Sequence, residues 1–72
     1  SRPTTGQEGL VGAHGSVLTP VSSAMGSVKV QGEIWQARSD LPAAEGTMIE
    51  VIKVDGLTLI VRPYHAQQES AN

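Results

Sequence analysis

The sequence predicts an all-β domain, a small closed barrel of five short strands. The chain has 72 residues and no cysteine, so a single small domain must be held by its apolar core without disulfides. Two glycine-containing turns each join two runs of strand-forming residues. Aromatic residues make up only 3% of the chain, so the core is aliphatic, and its many valines favour strands. The candidate core residues are Val11, Val17, Leu18, Val21, Val28, Val30, Ile34, Ile49, Val51, Ile52, Val54, Leu57, Leu59, Ile60 and Val61.

The first strand is predicted at residues 16–21, with Pro20 near its end or at a bulge because proline cannot donate a ladder hydrogen bond. Four glycines precede the strand at a strict spacing of three. That spacing fits neither a P-loop, nor the dinucleotide-binding fingerprint, nor a proline-rich collagen repeat. We interpret the last three, Gly9, Gly12 and Gly15, as sharp turns of the backbone where it leads into the barrel.

The second and third strands form the first predicted hairpin. Residues 27–30 alternate apolar and polar side chains, and Gln31-Gly32 turns the chain into a third strand at residues 33–39. In this register Val28 lies opposite Trp35. Trp35 is therefore the largest apolar side chain available to that face.

The fourth and fifth strands form the second predicted hairpin, at residues 47–54 and 57–63. Asp55-Gly56 between them is the strongest turn signal in the chain. Apolar residues on both faces of these strands indicate more burial than in a half-exposed strand. In that register Leu57, Leu59 and Val61 lie opposite Val54, Ile52 and Glu50, and Val51 and Ile60 fall on the other face.

The connection between the two hairpins, residues 40–46, is too short for more than about one helical turn. Asp40 is a candidate cap of that turn, Pro42 a candidate start and Gly46 a candidate end. Five short strands leave exposed edges unless they close on themselves. We therefore predict a five-stranded OB-fold-like barrel, with an SH3-like barrel as the runner-up.

The sequence indicates no catalytic residue, no metal ligand and no cofactor. His14 and His65 lie far apart in the chain without a second ligand at a metal-binding spacing, and His14 is expected in a loop. The chain has neither a Gly-x-Ser-x-Gly motif nor a cysteine nucleophile. Asp40 and Glu45 are close in sequence but belong to a solvated loop. We therefore predict that the domain is not an enzyme.

The charge pattern argues against nucleic acid as the partner. The formal net charge is −2, and the basic residues are scattered along the chain. Only Trp35 and Tyr64 are available to stack on bases. Binding of single-stranded nucleic acid stays an alternative because OB-fold barrels often serve it. No run approaches the roughly 20 apolar residues that span a bilayer.

Two glycine-and-aliphatic motifs resemble the C-terminal soluble domain of the NfeD family, over about residues 9–63. The first motif is a hairpin and the second contains the last two strands. The hairpin positions are Gly26, Val28, Gly32, Trp35 and Ala37, and the later positions are Gly46, Ile49, Val51, Val54, Gly56, Leu59 and Val61. The resemblance implies a five-stranded OB-fold barrel.

The resemblance also implies a function and a setting. Members are membrane proteins whose transmembrane helices precede this domain, and those helices are absent from this fragment. They are associated with stomatin- and flotillin-like proteins and regulate membrane protease activity. We therefore expect a soluble interaction module of a membrane-anchored protein. Residues 1–8 are expected as a linker or disordered segment, residues 9–63 as the domain, and residues 64–72 as a disordered tail.

The candidate partner surface lies in the loop between the hairpins. It comprises Asp40, Leu41 and Glu45, with Leu41 as an exposed apolar contact. A barrel edge open to strand addition is a second candidate. Self-association of the barrel as a structural scaffold is a further alternative to partner docking.

Overall fold

The computed structural model describes residues 8–64, whose strands form one barrel. The expected linker and tail lie outside the described residues, apart from Glu8 and Tyr64. A single 3₁₀ turn, Glu8–Leu10, precedes the strands. The strands are β1 His14–Thr19, β2 Gly26–Val30, β3 Glu33–Arg38, β4 Met48–Asp55 and β5 Thr58–Pro63.

The strand order confirms the predicted barrel. The strands are arranged β1-β2-β3-β5-β4, and β4 pairs with β1 to close the sheet. All pairs are antiparallel except β3 with β5, which are parallel. This arrangement is the five-stranded OB-fold-like barrel that the sequence predicts. Closure gives every strand a neighbour on both sides, so the described residues contain no strand free along its whole length for strand addition.

The first hairpin has the predicted register. Val28 pairs with Trp35, and Val30 pairs with Glu33 across the turn. Gln31 has φ of 52° and Gly32 has φ of 81°. A two-residue type I′ turn requires positive φ at both central positions, and its twist matches that of the strands it joins.

The second hairpin turns one residue later than predicted. Asp55 pairs with Thr58, so the two loop residues are Gly56 and Leu57 rather than Asp55-Gly56. Gly56 has φ of 65° at the first loop position, where a Gly-x loop needs positive φ, and Asp55 extends the strand. The predicted cross-strand pairs are therefore wrong, and Leu57 lies at the hairpin tip with 73% of its surface exposed.

A β-bulge in β4 changes which side chains face inward. The register shifts between Val51 and Lys53, which leaves Ile52 outside the regular pairing. Val51 pairs with Val61 and both are buried, whereas Ile52 is exposed. The prediction that Val51 and Val61 lie on opposite faces is wrong because a bulge places two residues against one on the partner strand.

The core is aliphatic, as predicted, although seven of the candidates are not in the buried cluster. Val11, Ile34, Ile52 and Leu57 are exposed, and Leu18, Val54 and Ile60 are half-buried. Leu10, Ala37 and Ala43 are buried instead, although none was among the candidates. The buried cluster contains Leu10, Val17, Val21, Val28, Val30, Ala37, Ala43, Ile49, Val51, Leu59 and Val61.

The glycines before β1 have different structural roles. Gly12 has φ of 91° and its N–H donates to the Val51 carbonyl oxygen at 2.7 Å, so it is a true turn. Gly15 lies inside β1, and a Cβ there would overlap the Lys29 carbonyl oxygen and lie 2.7 Å from Val30 Cγ2. Gly15 is therefore required by the close approach of β2 and not by a turn.

His14 begins β1 and does not lie in a loop as expected. It pairs with Glu50 of β4. Its imidazole stacks on the ring of Tyr64, with the centroids 3.9 Å apart and an angle of 20° between the planes. The Tyr64 N–H also donates to the Met48 carbonyl oxygen at 2.8 Å. This hydrogen bond extends the pairing of β4 with the last strand by one residue.

Candidate functional site

The connection from β3 to β4, residues 39–47, is here named the crossover segment. It forms no helical turn, in contrast to the turn predicted at residues 40–46. Val21 and Ala43 form an isolated bridge instead, with each N–H donating to the other carbonyl oxygen at 3.0 Å. Ala43 is buried. Its two main-chain hydrogen bonds to Val21 take the place of those that a helical turn would have formed. The first strand was predicted to extend to Val21, but β1 ends at Thr19 and Pro20 follows it directly.

Ser39 fixes the start of the crossover segment, a role that was assigned to Asp40. Its side chain is buried, with the residue only 2% exposed. Its Oγ donates to the Leu41 carbonyl oxygen at 2.6 Å and accepts from the Leu41 N–H at 3.1 Å. Its own N–H donates to the Ser22 carbonyl oxygen at 2.8 Å. A serine that bonds the main chain two residues later forms a local turn, and here it fixes the position of Leu41.

The far end of the crossover segment is also tied to the barrel. Gly46 has φ of 88°, and its N–H donates to the Val17 carbonyl oxygen at 2.9 Å. The Val17 N–H in turn donates to the Thr47 carbonyl oxygen at 2.9 Å. Gly46 therefore lies in an irregular turn and does not end the helical turn that was predicted. The segment is bonded to the β1–β2 connection at Ser39 and Ala43 and to β1 at Gly46, so its backbone is held at both ends and at its middle.

The predicted surface residues are all exposed on this fixed segment. Asp40 and Leu41 are consecutive, and Glu45 follows four residues later. Leu41 is 61% exposed, which leaves most of a large aliphatic side chain in water. Within residues 8–64, neither Asp40 nor Glu45 forms an ion pair. The segment therefore offers an apolar contact beside two uncompensated carboxylates.

An open cavity of about 290 Å³ adjoins the start of the crossover segment. Arg38 and Asp40 contribute its charged groups, and Arg38 Nη2 also lies 3.6 Å from Asp55 Oδ2. Of the lining residues only Asp40 was predicted as part of a surface, because the lining comes from three separate parts of the chain. The lining residues are Ser23, Arg38, Ser39, Asp40 and Ile60.

Other classes of site receive no support from the described residues. Within residues 8–64, no three histidine, aspartate or glutamate side chains group as metal ligands. No helix in that range has the length and hydrophobicity needed to cross a bilayer.

Comparison with known families agrees with the barrel fold. The model of the NfeD-like C-terminal, partner-binding domain family matches residues 7–63. The chain belongs to the NfeD-like C-terminal domain family. The matched range includes all five strands and the whole crossover segment.

Individual NfeD-like relatives agree with this assignment. The chain is 41% identical over 59 residues to the membrane-bound protease PH1510 of Pyrococcus horikoshii, covering 79% of this chain but 13% of the relative. The C-terminal domain of stomatin operon partner protein 1510-C, also from Pyrococcus horikoshii, is 38% identical with a TM-score of 0.76, covering 86% of this chain and 98% of that one. The soluble domain of a Corynebacterium glutamicum membrane protein implicated in regulation of membrane protease activity is 40% identical with a TM-score of 0.73, covering 75% and 90%.

Proposed function

We propose that this domain is a non-enzymatic docking module of a membrane-anchored NfeD-like protein. It binds a stomatin- or flotillin-like partner near the bilayer and so regulates a membrane protease. The observation that carries the proposal is Leu41, exposed on a segment whose backbone is hydrogen-bonded to the β1–β2 connection at its start and middle and to β1 at its end. The family's description as partner-binding supports a protein as the occupant of this surface.

The fixed backbone of the crossover segment suits it to docking. Burying a leucine side chain contributes about 1.5–3 kcal/mol. A rigid loop also avoids much of the ordering cost that a mobile loop would pay on binding. Leu41 has a large apolar surface to bury, because it is exposed. Its backbone is also already ordered, because Ser39 bonds its N–H and C=O. The surface residues Asp40, Leu41 and Glu45 are thus preorganised before the partner arrives.

The two alternatives have weaker support. Nucleic-acid binding needs a positive groove with stacking rings, whereas Trp35 packs against the core and Tyr64 stacks on His14. Both alternatives give distinct results in the experiment below, because neither requires a stomatin-like protein.

The test compares two leucine variants in binding to the soluble region of a stomatin-like protein from the same organism. Leu41→Glu is expected to weaken binding about tenfold to a hundredfold, which corresponds to the loss of one buried leucine contact. Leu57→Glu is the matched control, since Leu57 is also exposed but lies at the tip of the β4–β5 hairpin, outside the crossover segment. Binding should be measured by calorimetry with both variants shown to be folded. Equal losses in the two variants, or no loss in Leu41→Glu, would exclude this surface.

A further inference from the structure

The charged groups around the cavity and crossover segment do not balance. Arg38 is the one cation lining the cavity, and its guanidinium already lies 3.6 Å from the Asp55 carboxylate. Asp40 lines the same cavity, and Glu45 lies on the same segment. Neither has a cationic partner among residues 8–64. The cavity and its ion pair therefore carry one negative charge in excess, since Arg38 faces the two carboxylates of Asp40 and Asp55. Asp40 directly precedes the exposed Leu41.

Resting on the proposed docking function, we propose that the cavity receives a lysine or arginine side chain of the partner. The partner's aliphatic residue next to that cation packs on Leu41. The recognised element is thus a short segment in which a basic residue adjoins an aliphatic one. This assignment deepens the docking function by naming the chemistry of the partner's contact.

The lining of the cavity suits a long basic side chain. Lysine and arginine place an apolar stem along apolar surface and keep the charged head among polar groups. Ile60 is the apolar residue of the lining, and Asp40 and Ser23 are lining residues whose side chains can accept hydrogen bonds. A volume of about 290 Å³ is enough for one long side chain. We assign the cavity to that side chain, with a neighbouring contact at Leu41.

The opposite assignment, an acidic partner residue bound by Arg38, fits the contacts less well. An incoming carboxylate would have to compete with Asp55 for the guanidinium and would meet Asp40 in the same cavity. A cation meets the Asp40 carboxylate, and Arg38, which lies 3.6 Å from Asp55, repels it only as a like charge that Asp55 partly offsets. The two assignments predict opposite changes in peptide affinity for the variants below.

The experiment titrates the whole ¹⁵N-labelled chain with two peptides and records amide shifts. The probes are N-acetyl-Leu-Arg-Leu-amide and its counterpart with glutamate in place of arginine. The arginine peptide is expected to shift the amides of Ser23, Ser39 and Asp40, to lose affinity as salt rises, and to bind more tightly than the glutamate peptide. Tighter binding of the glutamate peptide, or no shift at these amides, overturns the proposal.

Two variants test the sign of the charge. Asp40→Asn should weaken the arginine peptide about two- to fivefold, the range expected for an exposed ion pair. Glu33→Gln, an exposed acid at the start of β3, is the matched control and should change nothing. Arg38→Gln should strengthen binding of the arginine peptide by removing a like charge. Weaker binding in Arg38→Gln, or no effect of Asp40→Asn, overturns the assignment.

The result separates this inference from the docking function itself. If the peptides fail while Leu41→Glu still weakens the stomatin-like partner, docking stands and the basic contact is wrong. If both fail, the crossover segment is not the docking surface. Amide dispersion checks that each variant is folded, which is expected because Asp40 and Glu33 are exposed and Arg38 is only half-buried.

Discussion

Gly15→Ala should strongly destabilise the barrel, although it adds a single methyl group. The new Cβ would overlap the Lys29 carbonyl oxygen and lie 2.7 Å from Val30 Cγ2. Backbone atoms cannot rotate away, so β1 and β2 must separate along their shared ladder. Overpacking of this kind costs typically 1–3 kcal/mol, and we expect about 3 kcal/mol because the obstacle is main chain. A domain of this size has a total stability of roughly 4–11 kcal/mol.

Gly9→Ala is the control, because it makes the same change in the same glycine run. No atom lies within 4 Å of a Cβ at Gly9, and its φ is not in the positive range. Its effect should stay within about 0.5 kcal/mol, as for most surface substitutions. Urea unfolding followed by fluorescence of the single tryptophan, Trp35, measures both variants, since Trp35 packs against the core. If Gly15→Ala cost no more than Gly9→Ala, the close approach of β2 would not be the reason for glycine at this position.

Two further substitutions probe the site and the surface charges. Ser39→Ala removes two hydrogen bonds to the Leu41 main chain, so we expect a loss of about 1–2 kcal/mol in urea unfolding and weaker partner binding in calorimetry. Unchanged stability would show that Ser39 does not hold the crossover segment. Glu50→Gln breaks the contact with Arg62 at 3.2 Å, yet Arg62 is largely exposed, so the loss should not exceed about 0.5 kcal/mol. A larger loss by the same assay would mean that this pair contributes more than solvent screening allows.

The two hairpins show what local sequence predicts about this fold and where it fails. Gln31-Gly32 has the residues that a type I′ turn needs, so its location and register follow from two positions. Asp55-Gly56 has the same signature, yet the loop is Gly56-Leu57. Gly56 serves either turn equally well. Local turn chemistry was therefore ambiguous by one residue, and tertiary pairing decided the register.

The core exceptions have a tertiary cause. The bulge beside Val51 exposes Ile52, and no local pattern in the alternating strand indicates it. Leu10 and Ala43 lie outside the strands and are buried against the barrel. Periodicity identifies the faces of strands, but it contains no information about segments that close the ends of a barrel.

Part of the candidate site follows from local sequence, and the rest depends on the tertiary fold. The exposure of Asp40 and Leu41 was predictable because they follow a strand in a polar segment. The hydrogen bonds between the Ser39 side chain and the Leu41 main chain were not predicted, although serine often forms such local turns. The cavity itself depends on Ser23 and Ile60, which are distant in sequence and meet only in the closed barrel.

The most direct test of docking through the crossover segment is a map of the bound surface on the whole chain. Amide spectra of the ¹⁵N-labelled protein should be recorded while the soluble region of a stomatin-like partner is added. Shifts concentrated at residues 39–46, with those around Leu57 unchanged, are the result that docking through this segment predicts. A well-dispersed spectrum with shifts elsewhere, or with none, would contradict it.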